Sequence, residues 1–130
     1  MRPSPRNDGS TVVQGLQIKN TVANFYTPKL KPMNKQGWVY ILTNAHHTTL
    51  YTGVTSNLYQ RIQQHMNHIY PHSFTAKYNC SKLVYYCAYA TMIDAIQEEK
   101  RIKGSSRMDK VHLVSHQNPE WKDLWETEFS

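Results

Sequence analysis

Cysteine is scarce in this chain of 130 residues: Cys80 and Cys87 are the only two. Two thiols make neither a disulfide framework nor a four-thiolate zinc site. They are expected to be reduced thiols in or near an apolar run, in a reducing compartment. Long hydrophobic runs are also lacking, and no stretch approaches the ~20 apolar residues a spanning helix needs. The opening MRPSPRNDGS has no apolar region, so no secretory leader and no membrane partner are expected, and the default location is cytoplasmic. Acidic residues are few, nine against fifteen lysines and arginines, for a net charge of +6.

That excess points to a nucleic-acid partner, but it is unevenly placed. Residues 1–35 carry Arg2, Arg6, Lys19, Lys29, Lys31 and Lys35 against Asp8 alone, which is +5 of the +6. The remainder is close to neutral. Within it, Lys100, Arg101, Lys103, Arg107 and Lys110 form a local basic strip able to meet a phosphate backbone. On its own such a strip reads as the solvated face of a helix.

Two parts are expected along the chain. Residues 1–35 hold Pro3, Pro5, Pro28 and Pro32 and no sustained period, and read as a flexible basic extension. Its mildly apolar run TVVQGLQI suits a short strand or a docked segment. Residues 36–130 are patterned, and a chain of this size buries a core without help from metal or disulfide. WVYIL and LYTGV read as a hairpin across the polar turn NAHHTT. TSN offers caps for a helix from Leu58 to Ile69, which Pro71 stops. SFTAKYN holds at most one helical turn. KLVYYCAYA is a third strand. A helix capped by Thr91 and ended by Gly104 follows, then a helix capped by Ser105 or Ser106, then a turn and short helix in NPEWKDLWE. The fold class is α/β: a small antiparallel sheet flanked by helices.

Two helical stripes carry charges where a core should be. Residues 58, 61, 62, 65, 66 and 69 share one helix face, and Arg61 and His65 interrupt its apolar members. On the later helix Met92, Ala95, Ile96, Glu99 and Ile102 share a face that Glu99 interrupts, while Glu98 points toward solvent. An unpaired buried charge costs roughly several kcal/mol, so each must be paired, at an edge or at a cleft. Each has a plain structural alternative. Arg61 can snorkel to water, Glu99 can pair with Lys103 one turn on, and His65 can be a satisfied core histidine. Three such residues on two helices of one small sheet favour a polar cleft. Arginine suits phosphate oxygens, glutamate suits a hard divalent cation, and Tyr40 and Tyr51 of the hairpin add phenols, with Gly53 leaving room beside Tyr51.

The order VY in GWVYILTN, YTG in LYTGVTSNL, an arginine ten residues past that tyrosine, QEEKRIKGSSR and NPEWKDLWE resembles the GIY-YIG nuclease family, in particular its small single-domain bacterial members. The resemblance spans Gly37 to Glu126. It implies a three-stranded antiparallel sheet flanked by helices, and a metal-dependent endonuclease acting on DNA. Position by position it makes Tyr40 and Tyr51 the motif tyrosines, Arg61 the helix arginine, His65 the histidine one turn later, Glu99 the ligand of Mg²⁺ or Mn²⁺, and Asn118 the asparagine that closes the site. The sequence departs from the pattern at Trp38, where the first motif has glycine, and at Thr52, where the second has isoleucine. Val54 stands where some repair-type members carry a lysine.

Three other readings compete. The chain can be a nucleic-acid-binding module that keeps the fold without cutting. His65, His68 and His72, with His46 and His47, can suggest a zinc site, although Pro71 spoils the helical spacing of the third ligand. Trp121 and Trp125 can dock a partner, or pack the last helix onto the domain. Pathway, substrate structure and oligomeric state leave no mark on the sequence.

Overall fold

The apolar run at 37–43 becomes the central strand because both its edges and both its faces are covered. In the computed structural model, which describes residues 11–13, 16–18 and 36–129, β3 (Gly37–Thr43) lies between β4 (Leu50–Thr55) and β5 (Lys82–Tyr89), antiparallel to each. This is the expected three-stranded antiparallel sheet. Two short strands, β1 (Thr11–Val13) and β2 (Leu16–Ile18), extend it to the order β1-β2-β5-β3-β4. They pair antiparallel to each other, and Ile18 lies opposite Ala88 in parallel pairing with β5. The rest of the expected N-terminal extension lies outside the described residues.

Side chains alternate across the sheet with a period of two, and each face receives its own helices. Val39, Ile41, Tyr85 and Cys87 meet Ala95 and Ile102 of α3 (Met92–Lys103) and Val114 of α4 (Arg107–Gln117). Tyr40, Leu42, Leu83 and Tyr86 meet Leu58 and Ile62 of α1 (Leu58–Met66) and Leu124 of α5 (Leu124–Glu128). A single turn of helix, α2 (Phe74–Lys77), sits between α1 and β5 and is capped by Ser73. Asn57, Thr91 and Ser106 cap α1, α3 and α4, and Ser106 forms a capping box with Asp109, which decides between the two candidate serines. Gly37 brings β3 close to α3, since a Cβ there would collide with Ala95 and Met92.

One helix is shorter than its pattern. The stripe predicts α1 as far as Ile69, yet it ends at Met66. Asn67 caps it with its backbone N–H donated to Gln63 and His65, and His68 at φ 52° turns the chain into the left-handed region before Pro71 is reached. Ile69 is therefore exposed rather than part of the buried stripe.

The outer edge of β5 is finished partly by side chains. Asp123 Oδ1 accepts from Leu83 N at 3.2 Å, Asn118 Nδ2 donates to Val84 O at 3.0 Å, and the Gln117 amide bonds both N and O of Tyr86. These groups satisfy backbone donors and acceptors that another strand would otherwise take. Trp125 stacks on Phe129 with ring centroids 5.2 Å apart, and Trp121 Nε1 donates to Ser115 Oγ. Both indoles pack the C-terminal segment onto the domain. No helix among the described residues is long and apolar enough to cross a membrane.

Candidate active site

Tyr40 and Gly53 are cross-strand partners on β3 and β4. The phenol of Tyr40 lies over Gly53, where a Cβ would strike its Cζ and hydroxyl. Gly53 was expected to leave room beside Tyr51; the room is taken by Tyr40 instead, because directly opposed residues point to the same face. The Tyr40 hydroxyl thereby reaches α1 and meets His65 Nε2 at 3.0 Å. Tyr51, two residues before Gly53, projects from the same face, with its ring centroid 6.3 Å from Tyr40 and 5.7 Å from His65.

Arg61 and His65 are one turn apart on α1 and so share its sheet-facing side. His65 is held at both nitrogens, by Tyr40 at Nε2 and by Thr75 Oγ1 at Nδ1, 2.8 Å away. Thr75 is itself 3.2 Å from Ser73 Oγ. Burial, aided by the Arg61 charge, lowers the His65 pKa to about 4, so the imidazole is neutral at neutral pH. Burial raises Tyr40 to about 12, and Arg61 opposes that rise without cancelling it. The proton between them therefore belongs to the phenol. Arg61 spends one donor on Gln64 Oε1 at 3.2 Å, and its guanidinium lies 5.7 Å from the centroid of the Tyr70 ring.

Arg61 and His65 border a cleft of about 240 Å³ lined also by Tyr51, Tyr70, Phe74 and Thr75, with Ser73, and Tyr40 lies buried behind His65. A larger groove of about 400 Å³ runs along α4 and α5 beside Gln117, Pro119, Lys122 and Glu128. Its lysine is committed to Glu120, so the smaller cleft is the one with an arginine beside phenols and an imidazole. The sequence reading missed Tyr70, Ser73, Phe74 and Thr75. They occupy a stretch of less than two helical turns, too short for any period to register. Ser73 as a cap was the one local signal.

The remaining expected residues lie elsewhere. Glu99 is buried on α3, which packs against β3 and β4 from the opposite face. Its carboxylate pairs with Lys103 Nζ at 2.9 Å, the plain structural alternative for it, and the Tyr51 phenol also acts on that lysine. Asn118 is not brought to the cleft. It caps α4, donates to Val84 O and Lys122 O and accepts from Lys122 N, beside β5, which β3 separates from the strand of Tyr51. The basic strip is mostly committed locally. Arg101 pairs with Glu98, Lys103 with Glu99, Arg107 donates to the backbone oxygens of His47 and Thr48, and Lys110 donates to those of Lys103 and Ser105. Among the five, only Lys100 shows no such engagement in the described residues.

Among the described residues no group of three histidines, cysteines or carboxylates could hold a metal, which removes the histidine zinc site there. The donor set does suit one hard divalent cation that keeps most of its water: Glu99 is a single carboxylate, and Mg²⁺ commonly takes one or two together with waters and substrate phosphate oxygens. Lys103 would have to yield part of that carboxylate.

Residues 36–111 match the family described as the GIY-YIG catalytic domain. The match includes Tyr40, Tyr51, Arg61, His65 and Glu99 and stops short of Asn118. The chain is 35% identical over 85 residues to a UPF0213 protein of Syntrophus aciditrophicus, covering 65% of this chain and 95% of that one. It is 35% identical over 92 residues to a UPF0213 protein of Oceanobacillus iheyensis, covering 68% and 100% respectively. Among solved structures, it resembles the NMR structure of a UPF0213 protein from Bacillus halodurans, at 26% identity and a TM-score of 0.46, over 72% of this chain and 97% of that one.

Proposed function

The chain belongs to the GIY-YIG family, and from that premise we propose that it is an endonuclease that hydrolyses DNA phosphodiester bonds with Mg²⁺ or Mn²⁺. One observation carries the reading: Tyr51, Arg61 and His65 gather from a strand and a helix around one cleft, and the buried Tyr40 hydroxyl meets His65 directly behind its wall. Burying these groups costs folding energy that a purely structural site would avoid.

Arg61 at the cleft wall is suited to grip the scissile phosphate with its planar fork and to offset charge growing on the phosphoryl oxygens. Tyr40, fixed by His65 and by the space above Gly53, orients the attacking water. Tyr51, partly exposed at the wall, is placed to bond a phosphate oxygen. Glu99 would hold the cation from outside the cleft lining, by way of the β4 edge, where the Tyr51 phenol acts on the lysine paired with Glu99. When bound, the cation supplies Lewis-acid stabilisation of the phosphate and acidifies water. Thr75 fixes the other nitrogen of His65, and with it the direction of the Tyr40 hydroxyl. Lys100 is the member of the basic strip best placed to meet the phosphate backbone, since Arg101, Lys103, Arg107 and Lys110 have other partners. Cys80 and Cys87 are buried and unbridged, which suits a cytoplasmic protein.

One observation favours a second reading, a nucleic-acid-binding module without cleavage: the Glu99 carboxylate is tied to Lys103. Incubation of supercoiled plasmid with the protein and Mg²⁺ or Mn²⁺ separates the two. Nicking that disappears with EDTA and with Glu99→Ala is expected. Binding without nicking in either metal supports the second reading, and equal nicking by Glu99→Ala removes Glu99 from the mechanism.

A further inference from the structure

The aromatic side chains around the cleft do not stop at its wall. Tyr51 stacks on Phe74 with centroids 5.9 Å apart and planes 30° from parallel, and Phe74 meets Tyr78 at 4.7 Å. Phe74 and Tyr78 are 46% and 44% exposed, although large apolar rings are usually buried. Their exposure is not a gap in the core. The buried cluster on this face is complete beneath them, with Leu42, Leu58, Ile62 and Leu83 all nearly inaccessible. Cations attend the same rings: Lys77 Nζ is 5.5 Å from the Tyr78 centroid, and Arg61 holds Tyr70, itself 52% exposed, across the cleft. The cleft volume of about 240 Å³ falls below the ~300–1,000 Å³ usual for small-molecule pockets.

We propose that Phe74 and Tyr78, continuing the Tyr51 ring, form a stacking platform for an unpaired nucleobase next to the phosphate held at Arg61. The inference rests on the nuclease reading of that cleft and deepens it, by naming unpaired or single-stranded DNA as the substrate class. Exposed rings offer faces on which successive bases stack irrespective of sequence, and interleaved cations follow the backbone. A duplex buries its base faces in its own stack and cannot use such a platform without extruding a base. Arg61 links the two parts, since it lines the cleft together with Phe74 and lies over the Tyr70 ring. Lys77 lies on the same single turn of helix as Phe74 and supplies the next positive charge along the platform. Among the described residues no acidic side chain borders the cleft, so none of them repels a strand there.

The test uses the full chain, EDTA to stop cleavage, and fluorescence anisotropy with a labelled single strand, the same strand carrying an array of abasic sites, and the matching blunt duplex. The single strand is expected to bind more tightly than the duplex. Phe74→Ala and Tyr78→Ala are each expected to weaken single-strand binding by on the order of 10-fold while changing duplex binding little. Phe74→Trp restores it, and thermal unfolding shows whether each variant is folded. Equal losses on single strand and duplex, or no loss on either, overturn the proposal. So does an abasic strand bound as well as the intact one in an array of abasic sites long enough to cover the platform. Cleavage is scored separately with Mg²⁺ or Mn²⁺. Stacking-dependent binding without cleavage removes the nuclease reading and leaves the platform. Cleavage that ignores Phe74→Ala and Tyr78→Ala removes the platform and leaves the nuclease.

Discussion

Gly53 and Tyr40 face each other across β3 and β4, and the phenol fills the space a Cβ on residue 53 would need. The glycine is what allows Tyr40 to lie down over its neighbour strand and reach His65. Gly53→Ala must therefore displace the ring. Overpacking of this kind costs about 1–3 kcal/mol. The expected outcome is a lower urea midpoint at unchanged slope, and a loss of cleavage larger than the loss of folded protein. A variant as stable and active as the wild type would show that Tyr40 need not lie where it does.

Stability should fall on both sides of neutrality for reasons located in this one contact. Folded His65 takes a proton only near pH 4, whereas the unfolded side chain does so near 6.5. Between those values the unfolded chain binds more protons, so stability declines as pH drops through that window. Tyr40 keeps its proton to about 12 when folded and releases it near 10 when unfolded. There the folded chain binds more protons, and stability declines as pH rises through the window. Urea midpoints measured from pH 4 to 11 check both limbs. His65→Gln should flatten the acid limb and leave the alkaline one.

Arg61 is half-buried beside Tyr40 and Tyr51 and lines the cleft. Arg61→Lys keeps the charge and loses the fork. Removing a preorganised donor of this kind costs on the order of 10²–10³ in rate, and a similar fall in single-turnover cleavage is expected. Folding should be nearly unchanged, as read from the thermal midpoint. A lysine variant that cuts at the wild-type rate would reduce Arg61 to a bulk positive charge.

Lys103 and a divalent cation compete for the Glu99 carboxylate. The pair joins an exposed lysine to a buried glutamate one turn apart, so removing the lysine leaves a buried carboxylate unpaired, at a cost of roughly 1–3 kcal/mol. Lys103→Met is expected to lower the Mg²⁺ concentration needed for half-maximal cleavage, and to lower the thermal midpoint in EDTA more than in Mg²⁺. A requirement that rises instead would place Lys103 on the phosphate rather than on Glu99.

Asn118 uses its amide fully: two donations to backbone oxygens and one acceptance from Lys122 N, at a buried sheet edge. Asn118→Ala orphans Val84 O among others, and a loss of about 1–3 kcal/mol follows from one buried group left unpaired. Denaturant titration measures it. Cleavage per folded molecule should hold, since Asn118 sits at the edge of β5 and Tyr51 on β4, with β3 between them.

The hairpin, the third strand, the caps at Asn57, Thr91 and Ser106 and the two charged stripes could all be read locally, because each depends on residues within about one turn or one strand of each other. The end of α1 was misread because Asn67 and His68 stop it before the proline does, and apolar Ile69 happens to continue the period. Arg61 and His65 were legible as misplaced polar residues. Their partners Thr75 and Tyr70 were not, since they come from irregular or single-turn segments whose position is fixed by packing.

By itself, the sequence determined the strands, the helices and the polar residues that interrupt their apolar faces, since these follow from short-range periodicity and capping. The tertiary structure alone decided which of those residues share a site. It put Tyr40 over Gly53 and against His65, paired Glu99 with Lys103 and Arg101 with Glu98, committed Arg107 and Lys110 to backbone oxygens, and set Asn118 against β5, with β3 between it and Tyr51. The physical reason is that direction depends on long-range register. A side chain's type and period say that it must leave the core; only the packing of strand on strand and helix on sheet says toward what.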